Sequence, residues 1–326
     1  MNRRQFVIIV GSPLAATAPV ALGQKVDVPR IGLLWIDDPA NSARFIARFR
    51  EGMRARGYEV GRDFSIDDRS LVRSYDELVA GAARLAREKA AVILAYGTTA
   101  VQAAHSAAPV TPVVMVAASD PVSLGVAASL SRPGGHVTGL TTQSAEIVGK
   151  RLELLREIVP AIRRLAVVLY PGSASESDAL RNYEALARPL RLEVRPVEIR
   201  GAAELESAIM GIPMMDVQGI VVVASTLFAA HRDRMVAAMA AVRIPAVYSN
   251  VSIAEAGGLI AFAPDILENF HRAALYVDKI LKGAKPADLA IEQPSKWQLV
   301  INLKTAKALG MKFPQSILVR ADRVIE

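Results

Sequence analysis

Ala91-Val-Ile-Leu-Ala-Tyr-Gly-Thr-Thr-Ala-Val-Gln-Ala-Ala-His-Ser106 is the stretch that decides the fold. Residues 91–95 form a short, continuous apolar run of the kind a strand buried on both faces requires, and Gly97 marks the turn out of it. Residues 98–106 then place small and apolar side chains at helical spacing. Val-Val-Met-Val at residues 113–116 starts the next run. Strand, tight turn, helix and strand in that order are the grammar of a parallel sheet covered by helices.

The same unit recurs on both sides. Residues 30–36 are apolar and end in Asp37, Asp38 and Pro39, while Phe45, Phe49 and Met53 recur at helical spacing up to Gly57, a C-terminal cap. Residues 64–69 alternate as a strand. Ser74-Tyr-Asp-Glu77 has the form of a capping box ahead of the helical face of Leu78, Ala82 and Leu85. A long helix over residues 144–159 is stopped by Pro160. Beyond it, strands at 164–170, 192–199, 219–224 and 244–248 alternate with helical faces through Leu180, Tyr183, Ala187 and Leu190, and through Met235 and Met239. The expectation is two similar α/β lobes. No short-period repeat or low-complexity tract points elsewhere.

Composition narrows the class further. The chain has 326 residues, 52% of them hydrophobic and none of them cysteine, so a large core rather than disulfides must hold it, and thiolate chemistry and cysteine lipidation are excluded. Its charge of +7 is spread along the chain and aromatics are only 5%, which fits a solvated surface better than a nucleic-acid face. The first residues read as an export signal: Arg3 and Arg4, an apolar run over 7–22, and a small-residue exit that puts cleavage near Gly23. Arg3-Arg4 with Phe6 has a twin-arginine character, with Asn2 where Ser or Thr is more usual, so the twin-arginine and general secretory routes both stay open. Gly11, Ser12 and Pro13 interrupt the run, which argues against a membrane anchor. Residues 1–23 carry no acid, so their removal leaves a mildly basic, exported, periplasmic chain that is not a lipoprotein.

A family resemblance rests on the C-terminal third. Tyr276-Val-Asp-Lys-Ile-Leu-Lys-Gly-Ala-Lys-Pro-Ala-Asp-Leu289, Glu292-Gln-Pro294 and Val300-Ile-Asn-Leu-Lys-Thr-Ala-Lys-Ala-Leu-Gly310 closely resemble the ending of ABC-transporter substrate-binding proteins of the tryptophan/tyrosine-binding type. Ser119-Asp-Pro-Val122, Arg132-Pro-Gly-Gly135 with Val137-Thr-Gly-Leu140, Gly149-Lys-Arg-Leu-Glu-Leu-Leu155 and Glu255-Ala-Gly-Gly-Leu259 stand in the order that family uses. The resemblance implies a type I periplasmic-binding fold, α/β, with two Rossmann-like lobes whose parallel sheets are joined by a three-crossing hinge. By analogy the crossings fall near 141–144, 264–265 and 290–292. Residues 28–141 plus 265–289 would form the N-terminal lobe, and 142–264 plus 290–326 the C-terminal lobe. The helix at 266–281 would thus belong to the first lobe, and the strand from Trp297 to the second.

In open parallel sheets, ligands sit beyond the carboxyl ends of the strands. That rule selects Trp35, Asp37, Tyr96, Gly97, Thr98, Thr99, Ser119 and Asp120 in the first lobe, and Tyr170, Ser173, Ser225, Thr226, Ser249, Asn250 and Phe262 in the second. Gly97-Thr98-Thr99 offers free helix N-terminal amides and hydroxyls to a carboxylate, although Thr98 also suits a simple cap. Asp120 is the candidate partner of a ligand ammonium, with Asp37 in reserve; each also suits a turn. Trp35, Tyr96, Tyr170 and Phe262 would make aromatic walls or lobe-edge core. Ala261-Phe262-Ala263 replaces the Ser-Tyr-Gly of many relatives, which implies a drier pocket and a less polar or differently substituted ligand.

Enzyme constellations are missing. There is no G-x-S-x-G elbow, Walker loop or His-Glu-x-x-His, and His105, His136, His231 and His271 are scattered, so neither a metal nor a cofactor is expected. The resemblance implies the monomeric solute-binding component of an ABC importer, which captures an amino acid or aromatic/organic acid by hinge closure and delivers it to an inner-membrane permease. The alternative is a receptor that presents its closed form to a membrane sensor. A DNA-binding regulator would need a helix-turn-helix ahead of the first strand, where only residues 1–29 are available.

Overall fold

A computed structural model describes residues 28–36, 39–72, 75–142, 145–171 and 174–326. The export signal, Asp37, Asp38, Ser74 of the capping box, and the crossing residues 143 and 144 lie outside the described residues. The first lobe runs β1 (Arg30–Ile36), α1 (Pro39–Arg54), β2 (Ser65–Val72), α2 (Tyr75–Arg87), β3 (Val92–Tyr96), α3 (Thr98–Ala107), β4 (Val113–Ala118) and β5 (Val137–Thr141). Its sheet has the order β2-β1-β3-β4-β5, with every pairing parallel. The apolar run at residues 91–95 thus supplies β3, its central strand.

The chain continues as α4 (Ala145–Ile158), β6 (Arg164–Leu169), α5 (Ala174–Ala187), β7 (Glu193–Glu198), α6 (Leu205–Gly211), β8 (Gly219–Val222), α7 (Thr226–Ala230), α8 (Arg232–Val242), β9 (Ala246–Tyr248), α9 (Val251–Glu255) and β10 (Ile260–Pro264). There follow α10 (Ile266–Leu281), β11 (Trp297–Asn302), α11 (Leu303–Leu309), α12 (Gln315–Arg320) and β12 (Arg323–Ile325). The second sheet has the order β12-β11-β10-β9-β8-β6-β7. Alternation along β6 builds a core on each face: Leu165, Val167 and Leu169 pack into one cluster, and Ala166 and Val168 into the other. Among the described residues, no helix is long and apolar enough to cross a membrane.

Two features depart from a pair of plain parallel sheets. First, α10 follows β10 of the second sheet yet packs on α1 and the first sheet, burying Phe270, Ala273, Ala274 and Val277 beside Trp35 and Phe45. The i, i+3, i+4, i+7 spacing of those four puts them on one helix face. Gly52 of α1 permits the close crossing, since a Cβ there would stand 2.3 Å from the His271 carbonyl oxygen. Second, β11 is antiparallel to β10, pairing Trp297 with Pro264. The sheets are parallel as expected, and this is the one antiparallel pairing among their described strands; the reason is topological: β10 ends at the lobe junction, the chain leaves for the first lobe, and it re-enters at the same end. A strand that starts where its neighbour stops must run the other way. On that return path Glu292 bridges Leu140 of β5, and Tyr276 Oη donates to the Ala290 carbonyl at 2.8 Å.

Candidate functional site

A cleft of about 640 Å³ lies where the carboxyl ends of both sheets face each other. From the first lobe it takes Tyr96, Gly97, Thr98, Thr99 and Ser119 of the candidate residues; from the second it takes Tyr170, Ser225, Ser249 and Asn250. Asp37, Ser173 and the side chain of Thr226 lie outside the described residues.

The first-lobe wall is built on Gly97. At φ 83 and ψ 160 it occupies backbone space open essentially to glycine alone, and it stands at the N-cap of α3 with no side chain capping the helix. The first amides of α3 are therefore left facing the cleft. Thr98 does not cap its own helix. Its hydroxyl donates to Ser119 Oγ and accepts from the Ser119 amide, both at 3.0 Å, and so ties the end of β4 to α3. Just before it, Ala117 is turned into the cleft by a register shift in β4 that gives it a φ of 54.

Aromatic packing backs this wall. Tyr96 and Phe45 line the cleft with ring centroids 5.4 Å apart, and Phe270 stacks on Phe45 at 4.9 Å. Trp35 sits behind them. It is fully buried, its Nε1 donates to Ser42 Oγ at 2.9 Å, and its ring meets the edges of Tyr96 and Phe270. The expectation that Trp35 touches ligand is corrected: on the inner strand β1 it packs against α1 and α10 and supports the wall from inside.

Asp120 is corrected too. Its carboxylate is committed to its own turn, accepting from the Val122 amide at 2.9 Å, the Ser123 amide at 3.3 Å and Ser123 Oγ at 2.9 Å, and it does not line the cleft. The Asx-turn habit of aspartate before proline accounts for this. Phe262 likewise stays out of the cleft. Its ring stacks on Trp297 at 5.9 Å, and what it supplies is a backbone carbonyl.

The second-lobe wall is different in kind. Ser225 and Asn250 cap α7 and α9, accepting from the Leu227 amide at 3.2 Å and the Ser252 amide at 2.9 Å. Ser249, next to Asn250, is 5% exposed, and its Oγ has no hydrogen-bond partner among the described residues. Tyr248 before it is fully buried, and desolvation pushes its phenol well above the ordinary range.

Arg151 of α4 completes the wall, and the sequence rule missed it because the residue follows no strand. It lines the cleft at 6% exposure; its Nε donates to the Phe262 carbonyl at 2.8 Å and its Nη1 to Tyr183 Oη at 3.2 Å. One signal was available. Ile147, Val148, Leu152 and Leu155 are the buried face of α4, and Arg151 falls on that face. Charge on an apolar stripe needs a reason to be there. The carboxylates that line the cleft are Asp233, Glu255 and Asp265; Glu255 pairs with Arg323, and Asp265 Oδ1 caps α10 through the Glu268 amide at 3.0 Å. Among the described residues no group of three or more His, Cys, Asp or Glu side chains is arranged to hold a metal.

Two α/β lobes with a cleft between the carboxyl ends of their sheets define a two-lobed binding protein of the type I periplasmic kind. Residues 35–325 match the family of ABC transporter substrate binding proteins, and the chain belongs to that family. It is therefore a binding protein rather than an enzyme. It is 24% identical over 271 residues to a tyrosine-binding protein of Clostridioides difficile, which covers 81% of this chain and 76% of that one. It superposes with a TM-score of 0.84 and 24% identity on an ABC domain in complex with L-Trp from Streptococcus pneumonia, over 91% of this chain and 100% of that one. On the ligand-free, open structure of a substrate binding protein with adhesive properties from Clostridium difficile the TM-score is 0.70, at 21% identity over 91% and 99% of the chains.

Proposed function

We propose that this chain is the exported, periplasmic solute-binding component of an ABC importer, and that it captures an amino acid with an aromatic or other apolar side chain between its lobes. The observation that carries the reading is the cleft itself. Phe45, Tyr96 and Tyr170 give it apolar faces, while Arg151, Ser249, Asn250 and the α3 amides offer polar groups at its ends. An aromatic amino acid has that same division. The tyrosine and L-Trp named for two relatives support the choice of ligand class.

Capture works by differential contact. A ligand touching only one lobe favours neither the open nor the closed state, whereas one that bridges Tyr96 and Ser249 stabilises closure by contacts only the closed state makes. The lobes, 28–141 plus 265–289 and 142–264 plus 290–326, would close about the three crossings. A permease in the inner membrane would then read the closed surface, and export would follow the leader at residues 1–23.

Thermal-shift screening of the mature protein against aromatic and branched amino acids and aromatic acids tests the reading. A concentration-dependent rise in Tm with at least one aromatic amino acid is expected. A protein stabilised by none of them, yet able to turn over a substrate, would overturn it.

A further inference from the structure

The second-lobe wall holds a charge without a counter-charge. Arg151 is nine-tenths buried, and among the described residues its hydrogen-bond partners are a carbonyl and a phenol, with no carboxylate paired to it. A guanidinium withdrawn from water is stabilised well only by an anion, and neutral acceptors replace only part of its hydration. Its Nη2 and one Nη1 proton remain to be used.

A second orphan donor stands nearby. The β9–β10 ladder pairs Tyr248 with Ala261, so Ser249 leaves the end of β9 beside Phe262, which continues β10. Arg151 is fixed to the Phe262 carbonyl, α4 packs against both strands, and Ser249 Oγ is buried without a partner. Both side chains line the cleft. A planar anion with two oxygens satisfies both donors at once, in the forked geometry guanidinium favours.

We infer that Arg151 and Ser249 form the carboxylate pole of the cleft, so that this chain selects ligands bearing a free carboxylate and rejects their amides and decarboxylated amines. This rests on the capture reading above. It places the recognised anion on the second lobe, and not on the α3 amides of the first.

The test is a four-way calorimetric comparison, with wild type and Arg151→Gln each titrated with L-tryptophan and with L-tryptophanamide. Wild type should bind the acid about 10- to 100-fold tighter than the amide, the range for a hydrogen bond to a charged group. In Arg151→Gln that preference should collapse to within about threefold while amide binding stays unchanged, and Arg151→Lys should restore part of it. Equal weakening of acid and amide would make Arg151 a purely structural link among α4, β10 and α5, and an undiminished preference would put the carboxylate elsewhere; either result overturns the inference alone. Wild type that binds neither compound is titrated with L-tyrosine and L-tyrosinamide in their place, and a wild type that binds none of the four overturns the capture reading as well. Ser249→Ala, which removes one oxygen and threatens no packing, is the second variant: its acid preference should fall several-fold, and an unchanged preference counts against the site.

Discussion

The two walls of the cleft are built from the same strand-turn-helix unit, yet the side chains of one satisfy each other and those of the other do not. On the first-lobe wall, Thr98 and Ser119 bond each other, Asp120 is used up by its own turn, and the rings of Trp35, Phe45, Tyr96 and Phe270 pack mutually. On the second, among the described residues, a buried guanidinium lacks an acid and a buried hydroxyl lacks any partner. Unsatisfied polar groups cost folding energy, so they are informative about what a site is waiting for. On the capture reading, the first wall would contribute shape and the second chemical discrimination.

The largest test of that division is Phe270→Ala. It empties the layer behind Phe45 and Tyr96 and is expected to cost about 3–5 kcal/mol in denaturant melts, the range for removing a buried phenylalanine. A loss below about 1 kcal/mol would mean that the aromatic wall is not a packed unit. Gly97→Ala comes next. Forcing a Cβ into glycine-only backbone space should cost about 1–3 kcal/mol and turn the α3 amides away from the cleft. Unchanged stability would show that the loop relaxes freely.

Ser249→Ala sharpens the contrast because its two effects have opposite signs. Losing an unpartnered buried hydroxyl should leave the ligand-free protein as stable or more stable, by up to about 1 kcal/mol, while amino-acid affinity falls. A destabilised variant with unaltered affinity would mean that the hydroxyl is structural.

Acid pH should act on the first lobe. His136 stacks on His105 at 5.0 Å, and His136 Nε2 and His105 Nδ1 are buried without partners among the described residues. Burial, and then the neighbouring His105, hold the His136 pKa below its ordinary 6.5. The native state thus binds fewer protons than the unfolded one, so this contribution is present above pH 6.5 and is lost as pH falls through the depressed native value. Melting curves from pH 7.5 to 5 should show the loss, and His136→Gln should reduce it; an identical pH dependence in the variant would remove His136 as its source. The smallest effect is expected of Asp120→Ala, which should leave ligand affinity within about twofold and cost about 0.5–1 kcal/mol of local turn stability. A large affinity loss would return Asp120 to the site.

Much of the fold was legible because local chemistry specifies it. The run at 30–36 is β1, the helix read at 98–106 is α3 at Thr98–Ala107, and that at 144–159 is α4 at Ala145–Ile158. What periodicity does not carry is the destination of an element. Nothing in residues 266–281 alone says that this helix lies against α1, and the reversal of β11 follows from the same crossing. At the site, the strand-end rule reached Tyr96, Ser225, Ser249 and Asn250 through backbone direction. It failed for Trp35, Asp120 and Phe262, because side-chain direction and local turn bonding decide which strand-end residue meets the cleft. It passed over Arg151 and Phe45, which helices supply.

The central claim is that the unsatisfied wall closes on an amino acid. Isothermal titration of the mature wild-type protein with L-tryptophan and L-tyrosine tests it most directly. The expected result is saturable, one-to-one binding of at least one of the two with a negative heat-capacity change from buried apolar surface; no saturable heat from either would contradict the account.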